Sequence, residues 1–170
     1  EYSTAVYGIM MNTEKSIFKS DKLRYALLFA SDKSSLSLPF GYSAADGIVA
    51  PSVKNSFGSY RDTAGSRTTV KPDEVKAYSS YQSACENIDK ADLHSVNILA
   101  VQNRDEEIGE SLSGILQQWQ AKLGFYCSIS YVSESEYEEK ISGGDYTLAL
   151  TRINGEYNRP EAYLGMFTSG

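Results

Sequence analysis

Between residues 96 and 160 the chain alternates apolar runs of strand length with stretches of helical period, and few folds accommodate that order. Val96-Asn97-Ile98-Leu99-Ala100-Val101 reads as a buried strand. Ile108, Leu112, Ile115, Leu116, Trp119 and Leu123 then mark one stripe of a long helix. Asn103 with Glu106 predicts a capping box at its start, and Gly124 a left-handed stop at its end. A second strand is expected at Tyr126–Val132. A short helix capped by Ser133, with Glu136 three residues on, runs to about Ile141, and a third strand covers Tyr146–Arg152. Strands joined by helices run parallel with right-handed crossovers. The strands near 97, 127 and 147 should therefore be neighbours, with helix 104–123 packed on one face of the sheet through Trp119.

The first half adds fewer elements. Residues 5–11 form a nearly continuous apolar run, which predicts a further buried strand. Ser20 is placed to cap a helix over Asp21–Ser31, with Leu23, Ala26, Leu27 and Ala30 inward and Tyr25, Leu28 and Phe29 widening that face. Residues 32–70 show no period. Their aromatics Phe40, Tyr42, Phe57 and Tyr60 are expected to anchor a long loop onto the body, with facing a ligand as the alternative. A helix beginning near Pro72 presents Ala77, Tyr81, Ala84, Cys85 and Ile88 inward, with Asp73 and Glu74 at the positive end of its dipole. A last helix from Pro160 carries Ala162, Tyr163, Leu164 and Phe167. The expected fold is α/β: a three-layer domain over residues 1–170 with a mostly parallel sheet of about four or five strands flanked by helices.

Charge and residue chemistry exclude several functions. A net charge of −6 is wrong for a nucleic-acid partner, which selects a basic face. No apolar run approaches the roughly 20 residues of a membrane span. His94, the single histidine, falls in a turn, and there is no zinc-ligand spacing, phosphate loop or Ser-His-Asp set. No metal or cofactor is implied, and no catalytic residue is assigned. Cys85 and Cys127 are two buried thiols or one disulfide; their spacing does not decide. After the strand at 96–101 comes Gln102-Asn103-Arg104-Asp105-Glu106-Glu107, acidic and without glycine, which argues against a doubly wound enzyme domain that binds phosphate there. The chain starts Glu1-Tyr2-Ser3-Thr4, with no initiator methionine or signal peptide, and both ends read as cuts in a longer protein.

Three stretches, in order, resemble the extracytoplasmic solute-binding proteins of peptide ABC importers, the oligopeptide- and dipeptide-binding family 5. Tyr7–Asn12 followed by Asp21–Lys33 is similar to the family's strand ending in Phe-Asn-Thr and its Val-Arg-x-Ala-Leu-x-x-Ala-Ile-Asp-Arg helix. Gly47-Ile48-Val49-Ala50-Pro51 resembles a Gly-x-x-x-Pro segment of its loop region. Ile115–Gly124, Gly144-Asp145-Tyr146 and Glu156-Tyr157-Asn158-Arg159-Pro160 resemble its Gln-Gln-x-(Trp)-x-x-x-Leu-Gly helix, its Gly-x-Tyr-Asp strand and the Trp-x-x-Asp-Tyr-x-x-Pro loop that follows.

The resemblance implies most of the C-terminal lobe of a type II periplasmic-binding-protein-like clamshell, whose N-terminal lobe supplies the other wall of the cleft. It implies an extracytoplasmic receptor, periplasmic or a cell-surface lipoprotein, that passes peptides to ABC permease subunits. Nickel complexes, haem or oligosaccharides are alternative cargoes, and a sensor or scaffold lobe that has lost transport is another outcome. The implied ligand-binding residues are Ile153, Asn154, Gly155, Glu156 and Tyr157. Ile153 stands where the family has its Trp. Glu156 stands where the family has the Asp that pairs with a peptide's α-ammonium, and as a bare residue it reads equally as a surface carboxylate. Leu150 stands where some members carry a ligand-binding Arg.

Overall fold

The computed structural model describes residues 5–14, 17–45, 47–50, 52–60, 70–155 and 160–165. The elements are β1 (Ala5–Met11), α1 (Asp21–Ala30), β2 (Lys54–Asn55), β3 (Gly58–Ser59), α2 (Glu74–Cys85), α3 (Lys90–Leu93), β4 (Val96–Val101), α4 (Glu106–Leu123), β5 (Cys127–Val132), α5 (Glu134–Ser142), β6 (Leu148–Asn154) and α6 (Glu161–Leu164). The chain divides into two compact units. One holds residues 9–44 and 70–150; the other holds 1–8, 45–69 and 151–170.

The sheet order is β1-β6-β4-β5, with β4 parallel to both of its neighbours. The strands expected near 97, 127 and 147 are thus consecutive, and the one at 97 is central. Going from β4 to β5 and then back across β4 to β6, two right-handed crossovers place α4 and α5 on opposite faces. The Asn12 amide beyond the end of β1 donates to the Thr147 carbonyl just before β6, at 3.0 Å, so β1 runs antiparallel to β6. The Asn12 side chain also donates to the carbonyls of Gly144 and Tyr146 at 3.1 and 3.0 Å. A single amide therefore ties the end of β1 to the turn that launches β6.

In the larger unit α1, α2, α4 and α5 form close to where the sequence places them, whereas the short α3 falls in the stretch before Ser95 that reads as a turn. The Ser20 hydroxyl accepts from the Leu23 amide, and the Ser133 hydroxyl from the Glu136 amide. Trp119 is buried at 2% exposure, and its indole N–H donates to the Leu27 carbonyl and the Ser31 hydroxyl. Gly124 closes α4 in the left-handed region at φ 69°, with its amide bonded to the Gln120 carbonyl. Near Pro72 the helix starts two residues later than expected, at Glu74: Asp73 is the cap, and its carboxylate accepts from the Lys76 amide.

At the start of α4 the expected capping box does not form. Asn103 takes a left-handed conformation at φ 62°, and the residue before the helix is Asp105, with no side-chain cap. The Asp105 carboxylate turns back to accept from the Val101 amide and from the Arg104 guanidinium. A buried charge finds stronger donors there than the open first turn of the helix offers.

The smaller unit has its own core of Val49, Ala50, Val53, Ile153 and Tyr163, flanked by Val6, Ile48, Tyr60 and Leu164. An antiparallel ribbon, Lys54–Asn55 with Gly58–Ser59, lies in the stretch where the sequence shows no period. Two-residue strands are too short to register as alternation. Of the aromatics expected to anchor this stretch, Tyr60 packs on that core, whereas Phe40 and Phe57 are exposed.

Candidate functional site

In a sheet of parallel strands joined by helices, ligands gather beyond the carboxyl ends of the strands. For β6 that end is the run Thr151-Arg152-Ile153-Asn154-Gly155, which belongs to the smaller unit. Ile153 is 6% exposed and packs with Val49, Ala50, Val53 and Tyr163. Side chains on a strand alternate, so burying Ile153 turns Arg152 and Asn154 to the opposite side, and both are exposed. The Arg152 guanidinium lies over the Tyr7 ring, 5.8 Å from its centre. Gly155 needs to be glycine for a steric reason: a Cβ there would run into the Tyr163 ring, which is itself buried.

Of the five residues proposed from the sequence, then, Ile153 points into the core and offers a ligand only its backbone. Asn154 is exposed, and Gly155 is half-buried against Tyr163. Glu156 and Tyr157 lie outside the described residues.

Within the larger unit, the first residues of β6 are held by a chain of contacts from α5. The Tyr137 hydroxyl on α5 donates to the Leu150 carbonyl at 2.9 Å, and the Arg104 guanidinium lies over the Tyr137 ring at 5.4 Å. Arg104 is fixed in turn by Asp105, whose side chain is 1% exposed, and by Glu134 at 2.9 Å. The Asp105 hydrogen bond holds the Arg104 proton above its usual affinity. None of this chain of contacts was singled out from the sequence. The adjacent Arg104-Asp105 pair was visible there, but it read as part of an exposed acidic helix start.

No reactive constellation stands out among the described residues. Cys85 and Cys127 are both free thiols, half-buried, which resolves the choice left open by their spacing. Burial pushes the Cys127 thiol up to about 12, so it stays protonated at neutral pH and is a poor nucleophile. His94 is exposed in the turn after α3 and lies beside the Tyr126 ring. Among the described residues no group of three or more His, Cys, Asp or Glu is placed to hold a metal. No described helix is long and apolar enough to cross a membrane. A polar recess of about 320 Å³ lies between α5 and the sheet, lined by Asn97, Ser130, Lys140 and Thr147 among others. It runs along the sheet face from Thr147, just before β6, to Val132 at the end of β5.

This architecture is a lobe of the periplasmic-binding-protein fold. Residues 1–170 match the model of the bacterial extracellular solute-binding proteins, family 5, middle region, and the chain belongs to that family. Its members are binding proteins rather than enzymes. No curated protein sequence matches the chain. Among solved structures it is similar to the pheromone receptor PrgZ, whose structure describes a mode of peptide binding, with a TM-score of 0.79 and 19% identity over 100% of this chain and 34% of that one. It is similar to the substrate-binding domain of an oligopeptide ABC transporter from Bacillus anthracis str. Ames, with a TM-score of 0.77 and 23% identity over 99% of this chain and 33% of that one. A third likeness is to Listeria monocytogenes OppA bound to peptide, with a TM-score of 0.77 and 16% identity over 98% and 34%. The chain spans about a third of the length of these structures.

Proposed function

We propose that residues 1–170 are one lobe of a two-lobed receptor that captures peptides outside the cytoplasm, in the periplasm or at the cell surface, for an ABC importer. Family membership supports solute capture, and the relatives described with peptides support peptide as the cargo. The observation that carries the reading is local. β6 ends in an outward-facing run, anchored from behind by Ile153, and leads directly into the loop that would hold the ligand.

In this mechanism the remainder of the protein supplies the opposite wall of a cleft. The two lobes close on an extended peptide, and the closed form docks on the permease subunits. Closure excludes water, so hydrogen bonds from loop backbone to peptide backbone strengthen. Ile153, Asn154 and Gly155 offer the peptide their backbone, and Tyr157 is a further ligand contact in this reading. Glu156 receives the peptide's α-ammonium, and the longer reach of Glu relative to Asp sets the amino end of the ligand further out.

Calorimetry on the full-length protein tests this. Acetylating the amino end of a bound peptide should cost the wild type about 1–3 kcal/mol, and Glu156→Gln should cost a free-amine peptide a similar amount. Applying both changes together should cost little more than either alone, because they remove the same ion pair. Unchanged affinity of Glu156→Gln for the free-amine peptide would mean that the carboxylate is only a surface charge.

A further inference from the structure

We infer that Arg152 is a second charge-reading residue of this site and that the preferred peptide carries a carboxylate for it to receive. The inference rests on the peptide-receptor reading above and adds a ligand chemistry to it. Three observations carry it. Arg152 is exposed on the outward side of the last residues of β6, because Ile153 beside it is committed to the core. Its guanidinium has the Tyr7 ring beneath it at 5.8 Å, and among the described residues no carboxylate pairs with it. The chain as a whole carries a net charge of −6, so acidic groups are plentiful and Arg152 still has none of the described ones as its partner.

Those features suit anion recognition. A guanidinium resting on an aromatic face is held in place and partly stripped of water, yet its N–H groups still point outward. A planar fork of donors matches a carboxylate with two parallel hydrogen bonds, which an ammonium on a flexible stem does not. The alternative, a surface arginine that merely packs on tyrosine, predicts no discrimination among ligands. Three residues lie between Arg152 and Glu156 in the sequence, so one ligand engaging both presents an ammonium and a carboxylate. The carboxylate has two possible sources, an acidic side chain near the amino end or the carboxyl terminus of a short peptide.

The test is calorimetric titration of the full-length protein with four short peptides of one sequence. These carry Glu or Gln near the amino end, each with a free or an amidated carboxyl terminus. Wild type should lose about 10- to 100-fold in affinity when the recognised carboxylate is removed. The pair of peptides that shows the loss names the source. Arg152→Gln should bind the best peptide with the same 10- to 100-fold loss and no longer discriminate. Arg152→Lys, which keeps the charge and loses the fork, and Tyr7→Leu, which removes the platform, should fall between. An Arg152→Gln protein that keeps full discrimination overturns the inference and leaves the peptide reading standing. So does a wild type that binds all four equally. A wild type that binds none of a broad set of peptides overturns both. Thermal melting of each variant guards the comparison, since Arg152 is exposed and its loss should leave Tm nearly unchanged.

Discussion

Trp119→Ala should destabilise this lobe by about 3–5 kcal/mol, the range for deleting a large buried aromatic. The indole is 2% exposed and meets the Phe125 ring edge-on at 6.0 Å. Its N–H also bonds the Leu27 carbonyl and the Ser31 hydroxyl at the end of α1, so removal leaves a cavity and takes one donor from each, although the Ser31 hydroxyl still donates to the Leu27 carbonyl. Trp119→Phe should recover the packing and lose only the hydrogen bonds, at about 1–2 kcal/mol. Urea unfolding of the three proteins measures both values. If the alanine variant unfolds within about 1 kcal/mol of wild type, helix α4 is not held to α1 in the way described.

The second large effect belongs to Arg104. Arg104→Met should cost about 3 kcal/mol, the lower end for breaking a buried pair, because Arg104 itself is 31% exposed while Asp105 is almost fully covered. The variant leaves a buried carboxylate whose described side-chain donor is gone. Arg104→Met with Asp105→Asn should therefore be more stable than Arg104→Met alone: the asparagine oxygen still accepts from the Val101 amide, and no charge remains to be buried. A double variant at least as unstable as the single one would show that the ion pair is not what holds the turn after β4. The same variant removes the cation over Tyr137, so hydrogen exchange around Leu150 in the first half of β6 should quicken with it.

Much of the fold was legible because its signals are local and redundant. The stripe ending at Trp119 and Leu123, the caps Ser20 and Ser133, and Gly124 each fix an element from a few residues, and the crossover rule then orders the strands. The Asn103–Glu106 pattern misled because a short acidic stretch does not reveal which way a carboxylate turns. Asp105 goes back to its own strand and to Arg104 rather than forward to the helix amides. The β2–β3 ribbon was invisible for want of length. Phe40 and Phe57 ended up exposed, where a rule about loop anchors expected burial.

At the candidate site the sequence located the loop but not the direction of its side chains. Ile153 was marked by its alignment with an aromatic contact residue, and its burial depends on Val49, Val53 and Tyr163, partners roughly 10 to 100 residues away that no local pattern connects. Arg152 went unremarked for the same reason: only the inward turn of its neighbour makes it face out.

The most direct measurement is calorimetric titration of a broad set of free-amine peptides into the full-length protein and, in parallel, into residues 1–170 alone. A lobe that forms one wall of a closing cleft buries too little of a peptide to hold it by itself. The full-length protein should bind a subset of the peptides with measurable heat, and the lobe should bind them far more weakly or without detectable heat. A full-length protein that binds no peptide, or a lobe that binds them as tightly as the whole, would contradict the account.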